Sequence, residues 1–293
     1  MPTMSETIGA TLDALTRWLP ALLPELPRVE RILAAVGAAA PDRDEPVSVA
    51  VLARVSAAAW AHSRHLELMH VPDGSLTPDE ESHGWPSPDL RAIRRRAGGV
   101  RSVARTDGGV CTLAIDTLDP FGVAEPYLDA AVALADRATA LVLDLRANGG
   151  GDPATVAYLA GFVLGGPAVH LSEVHGADGI EPWFSHELPG RHVATDAPVA
   201  VLTSTRTFSS AEALAYHLRA RSRVTVIGEV TPGGADHVTP IALTAHVRAL
   251  LPVARVVDVA TGTSWEGVGV QPDIACNAAD AAEVAAAWIA SAR

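Results

Sequence analysis

A nearly continuous apolar run from Ala140 to Leu145 gives way, after Arg146, Ala147 and Asn148, to three consecutive glycines, Gly149, Gly150 and Gly151. A short run that is apolar on both faces reads as a strand buried between layers, the kind found in parallel sheets. Pro153 follows, and its missing N–H costs nothing in the first turn of a helix. The local order is therefore strand, glycine turn, helix. It recurs where Val199 to Thr203 leads through Thr207, Phe208, Ser209, Ser210, Ala211 and Glu212 into a helical stretch ending near Arg221. Val224 to Ile227 is again strand-like, Val110 to Asp116 adds a strand, Tyr127 to Ala138 a helix and Ala278 to Ala292 a last helix. Such alternation predicts an α/β fold from Gly109 onward, with helices packed on a sheet.

Ahead of it the pattern differs. Leu12, Leu15, Leu19, Leu22 and Leu23 recur at helical spacing, Pro24 and Pro27 punctuate the stretch, and further helices are expected over Val29 to Ala39 and Val47 to His62. Pro72, Pro78, Pro86 and Pro88 then sit among acidic and polar residues, as in a connecting loop. The expected organisation is a small N-terminal helical bundle over 1–72, a linker over 73–99 and an α/β catalytic core over 100–293. Arg94, Arg95 and Arg96 read as a solvated helix face, and Asp79, Glu80 and Glu81 as solvated loop charge. With 48% hydrophobic and 19% charged residues the chain is globular, and with 4% aromatics its core must be mainly Ala, Val and Leu.

The two strand-to-helix turns are where chemistry is expected. Glycines let backbone N–H groups approach a ligand, and unpaired N–H groups at a helix N-terminus form an anion site. A tight turn with no further role is the alternative. A nucleotide-hydrolase phosphate loop needs a Lys before Ser or Thr, and all 22 basic residues here are Arg. The glycine spacing also misses the dinucleotide fingerprint. Ser209 can be an ordinary helix cap, since with Glu212 it spells a capping box, or its hydroxyl can be a nucleophile.

Two later segments complete a series: Ile227 to Gly234, with Gly228, Glu229, Pro232 and Gly233, and Trp265 to Ile274, with Glu266, Gly267, Gly269, Pro272 and Asp273. Taken in order, the four motifs resemble the serine peptidase family of the tail-specific (C-terminal processing) proteases, the tricorn core and interphotoreceptor retinoid-binding protein. Within it the chain looks most like the bacterial retinoid-binding-protein-like branch without a PDZ domain. The resemblance spans about Val110 to Ile274 and is weaker toward the N-terminus. It implies a crotonase/Clp-protease-like core sheet and attack on a carbonyl carbon by Ser209. It also implies an oxyanion hole made by a backbone N–H of the Gly149-Gly150 turn and that of Ser210.

Serine is a weak nucleophile until a base takes its proton. Tail-specific proteases use a Lys at a place held here by Gly234, and the chain has no Lys, so a Ser/Lys dyad is excluded. The tricorn-like branch implies a His from the N-terminal part. His65 stands at the matching position, although Arg64 replaces the Ser that precedes this His in tricorn. Imidazole serves as base or acid near neutrality. Glu266 matches the family's acidic position and would hold the imidazole tautomer. His237 is the alternative base, and His62 and His70 are further options among 11 His.

The expected function is that of a serine hydrolase, a peptidase, acting on a peptide or small acyl substrate. A non-peptidase acyl hydrolase working on a small metabolite, or a lipophilic-ligand binding protein, are the alternatives. The segment 73–99 is too short for a PDZ domain. A net charge of -12 argues against nucleic acid and anionic membranes as partners. No metal or cofactor motif is present, and Cys111 and Cys276 read as buried thiols, with a single bridge between them left open. The start of the chain carries Glu6 rather than a positive segment, and no apolar run reaches membrane-spanning length. A cytoplasmic location is expected, with homo-oligomerisation open.

Overall fold

The structure is a computed structural model that describes residues 6–78 and 84–292. The acidic run Asp79, Glu80 and Glu81 and the first five residues lie outside the described residues. Along the chain the elements are α1 (Ile8–Leu22), α2 (Leu26–Ala39), α3 (Val49–Ala59), β1 (Glu67–His70), α4 (Leu90–Arg95), β2 (Val100–Arg105), β3 (Val110–Ile115), α5 (Phe121–Ala135), β4 (Ala140–Asp144) and α6 (Pro153–Leu164). There follow β5 (His170–Gly176), β6 (Gly179–Phe184), β7 (Val199–Thr203), α7 (Ser210–Ala220), β8 (Thr225–Gly228), β9 (His237–Ala242), β10 (Val247–Asp258), β11 (Ile274–Ala275) and α8 (Ala281–Ser291). They fall into two compact units, one of residues 1–87, 174–181 and 236–256, the other of 88–173, 182–235 and 257–293.

In the first unit the leucine stripe of α1 faces inward. Leu12, Leu15 and Leu19 join Ile32 and Val36 of α2 and Leu52 and Val55 of α3 in one buried cluster. Ser48 caps α3 by accepting the Val51 N–H. Antiparallel strands complete this core. β1 and β9 both pair with β10, and Leu68, Ile241, Ala249 and Leu251 pack into the helical cluster. β5 and β6, of which residues 174–181 belong to this unit, continue the sheet. This unit therefore cuts the chain differently from the expected 1–72 bundle. Each helix has one apolar stripe to bury, and later strands supply part of the covering layer.

The second unit holds an α/β sheet of the expected class. Its sheet runs β11-β8-β7-β4-β3-β2, with β3, β4, β7, β8 and β11 parallel and β2 antiparallel to β3. β4 and β7 are buried at every position, as their apolar runs demand. α8 lays Ala281, Ala285 and Ile289 on Ala140, Val142, Ala200, Leu202 and Ile227. Because β4 and β7 are parallel neighbours, the turns leaving their carboxyl ends lie side by side, at the edge where α/β sheets bind ligands.

The stretch expected as linker contains α4, capped by Asp89, and a single 3-10 turn at Ala97–Gly99. Arg94, Arg95 and Arg96 are all exposed, as a solvated face requires, and Arg96 also pairs with Asp119. Cys111 and Cys276 are both free thiols. Among the described residues no helix is long and apolar enough to cross a membrane.

Candidate active site

The turn after β4 and the turn after β7 are laced together. Ser204 Oγ donates to Arg146 O at 2.7 Å, Thr207 Oγ1 to Leu145 O at 2.9 Å, the Phe208 N–H to Asn148 O at 3.0 Å and Ser210 Oγ to Gly151 O at 2.7 Å. Closest approach comes at Gly150, where φ is +101° and a Cβ would stand 2.8 Å from both Phe208 O and Ser209 Cβ. Only glycine meets both conditions. Arg146 folds back, its Nε and Nη2 on Asp144 at 2.9 and 2.8 Å and its Nη1 on Ala278 O at 2.6 Å, so it braces the turn.

Ser209 sits at φ 54° and ψ -125°, a backbone conformation that side chains other than glycine rarely adopt. The carboxylate half of the expected capping box is formed, with the Ser209 N–H donating to Glu212 Oε2 at 2.8 Å. The hydroxyl half is a contact of capping-box type with the Glu212 N–H that lacks full hydrogen-bond geometry.

A count of backbone donors separates the three expected oxyanion-hole residues. The Gly150 N–H is already taken by Asn148 Oδ1 at 2.8 Å, and Asn148, fully buried, is held in turn by donating from Nδ2 to Ile115 O at 3.0 Å. The N–H groups of Gly149 and Ser210 have no hydrogen-bond partner among the described residues. One lies on each turn.

Glu212 does more than a cap partner would. Its carboxylate is fully buried and accepts four hydrogen bonds, from the Ser209 N–H, the Thr231 hydroxyl, the Gly233 N–H at 2.7 Å and the Gly234 N–H at 2.8 Å. Burial pushes its pKa up to about 7, against the opposing pull of those same bonds. The loop it grips is laced onward: Trp265 Nε1 donates to Gly234 O at 3.0 Å, the Gly267 N–H to Gly233 O at 2.8 Å and the Ala235 N–H to Glu266 Oε2 at 2.6 Å. Ser209 and Glu266 thus hang on one hydrogen-bonded frame. Behind it, His217 and Asp258 are buried and joined at 2.7 Å, and the His217 ring stands edge-on to Trp265. Burial pushes the Asp258 carboxyl up, but His217 and Arg221 outweigh it and hold the group low.

The two candidate bases belong to the first unit. His65 is almost fully buried, and burial, followed by the nearby His237 and Arg28, lowers its pKa to about 4. Burial also lowers His237, partly offset by Glu181. Arg28, itself buried, donates from Nε to His62 O at 2.7 Å and grips Asp236 through both terminal nitrogens, so it ties the His62–His65 turn to the start of β9. His62 contributes only its carbonyl to this tie, and the His70 ring stacks on His246. Sequence reading missed both Arg28 and the full role of Glu212. The one available hint for Arg28 is that it falls four residues before Ile32, on the buried face of α2.

Residues 114–276, more than half of the chain, match the sequence profile of peptidase family S41. Similar solved structures include a peptidase candidate from Parabacteroides merdae, with 16% identity, a TM-score of 0.65 and 97% of each chain covered. Another is a lipoprotein from Streptococcus agalactiae, with 16% identity, a TM-score of 0.62 and coverage of 100% of this chain and 99% of that one. These two show that the fold is shared over the whole length. A photosystem II D1 C-terminal processing protease is 22% identical over 62% of this chain, with a TM-score of 0.46, and the chain spans 47% of its length. The α/β core, the order of its motifs and the family match agree: the chain belongs to peptidase family S41.

Proposed function

We propose that the protein is a serine peptidase in which Ser209 Oγ attacks the scissile carbonyl carbon. One observation carries this reading: Ser209 is held at a positive φ in one of two adjoining turns, and the N–H groups of Gly149 on the other turn and Ser210 on its own have no hydrogen-bond partner among the described residues. A developing oxyanion needs donors fixed before the reaction begins, and two such N–H groups are the usual solution. In this mechanism His65 takes the Ser209 proton as the C–O bond forms. It then returns that proton to the leaving amine as the C–N bond breaks. Water repeats the cycle on the acyl-enzyme and releases the acid. With its pKa lowered to about 4, His65 is a neutral imidazole across neutral pH and so can accept a proton there. Glu266 holds the tautomer and stabilises the imidazolium, and His237 is the second choice of base.

The substrate is a peptide or small acyl compound, and the segment ahead of β2 supplies no PDZ domain to meet it. Residues 84–99 support this, since they form only α4 and a 3-10 turn. Incubation with a peptide library, read by mass spectrometry, tests the proposal. Wild type should cleave peptides and Ser209→Ala should not. Turnover of small esters with intact peptides would assign the chain to the non-peptidase acyl hydrolases instead.

A further inference from the structure

Glu212 hydrogen-bonds both the nucleophile's own backbone and the loop leading to Glu266, and its four contacts are all donors. Oε1 receives the Thr231 hydroxyl and the Gly233 N–H, while Oε2 receives the N–H groups of Ser209 and Gly234. A proton added to Oε2 would point at two N–H groups. A proton added to Oε1 could be accepted only by Thr231 Oγ1, which already accepts the Val270 N–H at 2.8 Å and would have to turn its own hydrogen away from Glu212. Protonation therefore breaks or reverses at least one bond of the clamp.

We propose that Glu212 is a positioning residue for the reaction at Ser209: its ionised carboxylate holds the nucleophile turn and the 231–234 loop in the reactive arrangement, and taking up a proton loosens them. The Ser209 backbone is strained, and the N–H bond to Glu212 is what keeps it from relaxing. The same bond occupies the Ser209 N–H and leaves the Ser210 N–H as the donor that this turn presents to an oxyanion. A displacement of about 1 Å at a reacting atom can cost on the order of 10²-fold in rate, so a loosened clamp is enough to matter.

The groups facing the carboxylate are Thr231 on its loop, the backbone of Gly233 and Gly234, and Ser209 at the start of α7. No charged side chain contributes to its titration. Of the ionisable residues on the segments packed here, Glu266 accepts the Ala235 N–H and His217 is engaged by Asp258. Burial sets the proton equilibrium, with Glu212 raised to about 7 and His65 lowered to about 4. An acid limb near neutrality would ordinarily be credited to the catalytic imidazole; here it belongs to Glu212.

The inference rests on the serine-nucleophile reading, and two readouts keep the two apart. The first is the second-order rate of fluorophosphonate labelling between pH 5.5 and 8.5 for wild type and for Glu212→Gln, each confirmed folded by circular dichroism. Wild type should show an acid limb near pH 7. The variant should be flat, and ~10- to 100-fold slower than wild type at pH 8. A folded Glu212→Gln that keeps the limb and the rate would overturn the inference and leave the nucleophile standing. The second is an NMR titration of wild type, in which the amide protons of Ser209, Gly233 and Gly234 should shift together with one midpoint. Separate midpoints, or none, would also overturn it. Shared titration without labelling at Ser209 would support the clamp and sink the proposed hydrolysis.

Discussion

Holding a serine at φ 54° costs on the order of 1–3 kcal/mol relative to a relaxed backbone. Glycine would relieve most of that cost, so Ser209→Gly should be more stable than Ser209→Ala by about 1 kcal/mol in urea unfolding, while both lack activity. Equal stabilities would mean that the turn is not strained. His65 makes an opposite kind of prediction. Its folded pKa, about 4, lies below its unfolded value of 6.5, so the unfolded chain binds more protons between those pH values. The associated stability is fully present above pH 6.5 and is lost as pH falls through 4, ~3 kcal/mol in all. Urea unfolding at pH 7 and pH 4.5 should show a larger loss in wild type than in His65→Ala, in which His237, also lowered by burial, still contributes. The strand-to-helix turn that carries Ser209 was legible in the sequence because its whole motif is contiguous. Arg28 was not, because its partner Asp236 lies far along the chain and an arginine in a helix is ordinarily solvated.

At the scale of elements, strands buried on both faces were the easy ones. β4 and β7 needed only an apolar run and a turn signal, and β7 spans the expected Val199–Thr203. The start of α5 was hidden by Pro126, which reads as a helix beginning but lies inside a helix that starts at Phe121. β10 went unread although its burial largely alternates, because the alternation shifts by one residue at Pro252, where the pairing with β9 is irregular, so the buried face changes parity along the strand. The lacing of the β4 and β7 turns gives a prediction at this scale. Gly150→Ala would set a Cβ 2.8 Å from Phe208 O and from Ser209 Cβ, at a positive φ. The two turns must then part. Labelling of Ser209 should fall at least ~100-fold, with a loss of more than 1 kcal/mol in stability. A variant that labels at the wild-type rate would show that the two turns need not touch for the serine to react.

At the scale of the whole molecule, the expected three consecutive segments met a chain divided into two units, each assembled from separated stretches. Sequence periodicity reports what a segment buries, not which distant segment covers it, so the α/β core was legible and the strands that complete the first unit were not. The catalytic reading has the same character. Its backbone donors, its serine and Glu266 share one hydrogen-bonded frame in the second unit, while the imidazoles of His65 and His237 belong to the first. The central claim is that the hydroxyl of Ser209 is the nucleophile. Reaction of the purified protein with a fluorophosphonate, followed by peptide mapping, tests it most directly. The account predicts a single adduct on Ser209 in wild type and none in Ser209→Ala; an adduct on another residue, or undiminished labelling of Ser209→Ala, would contradict it.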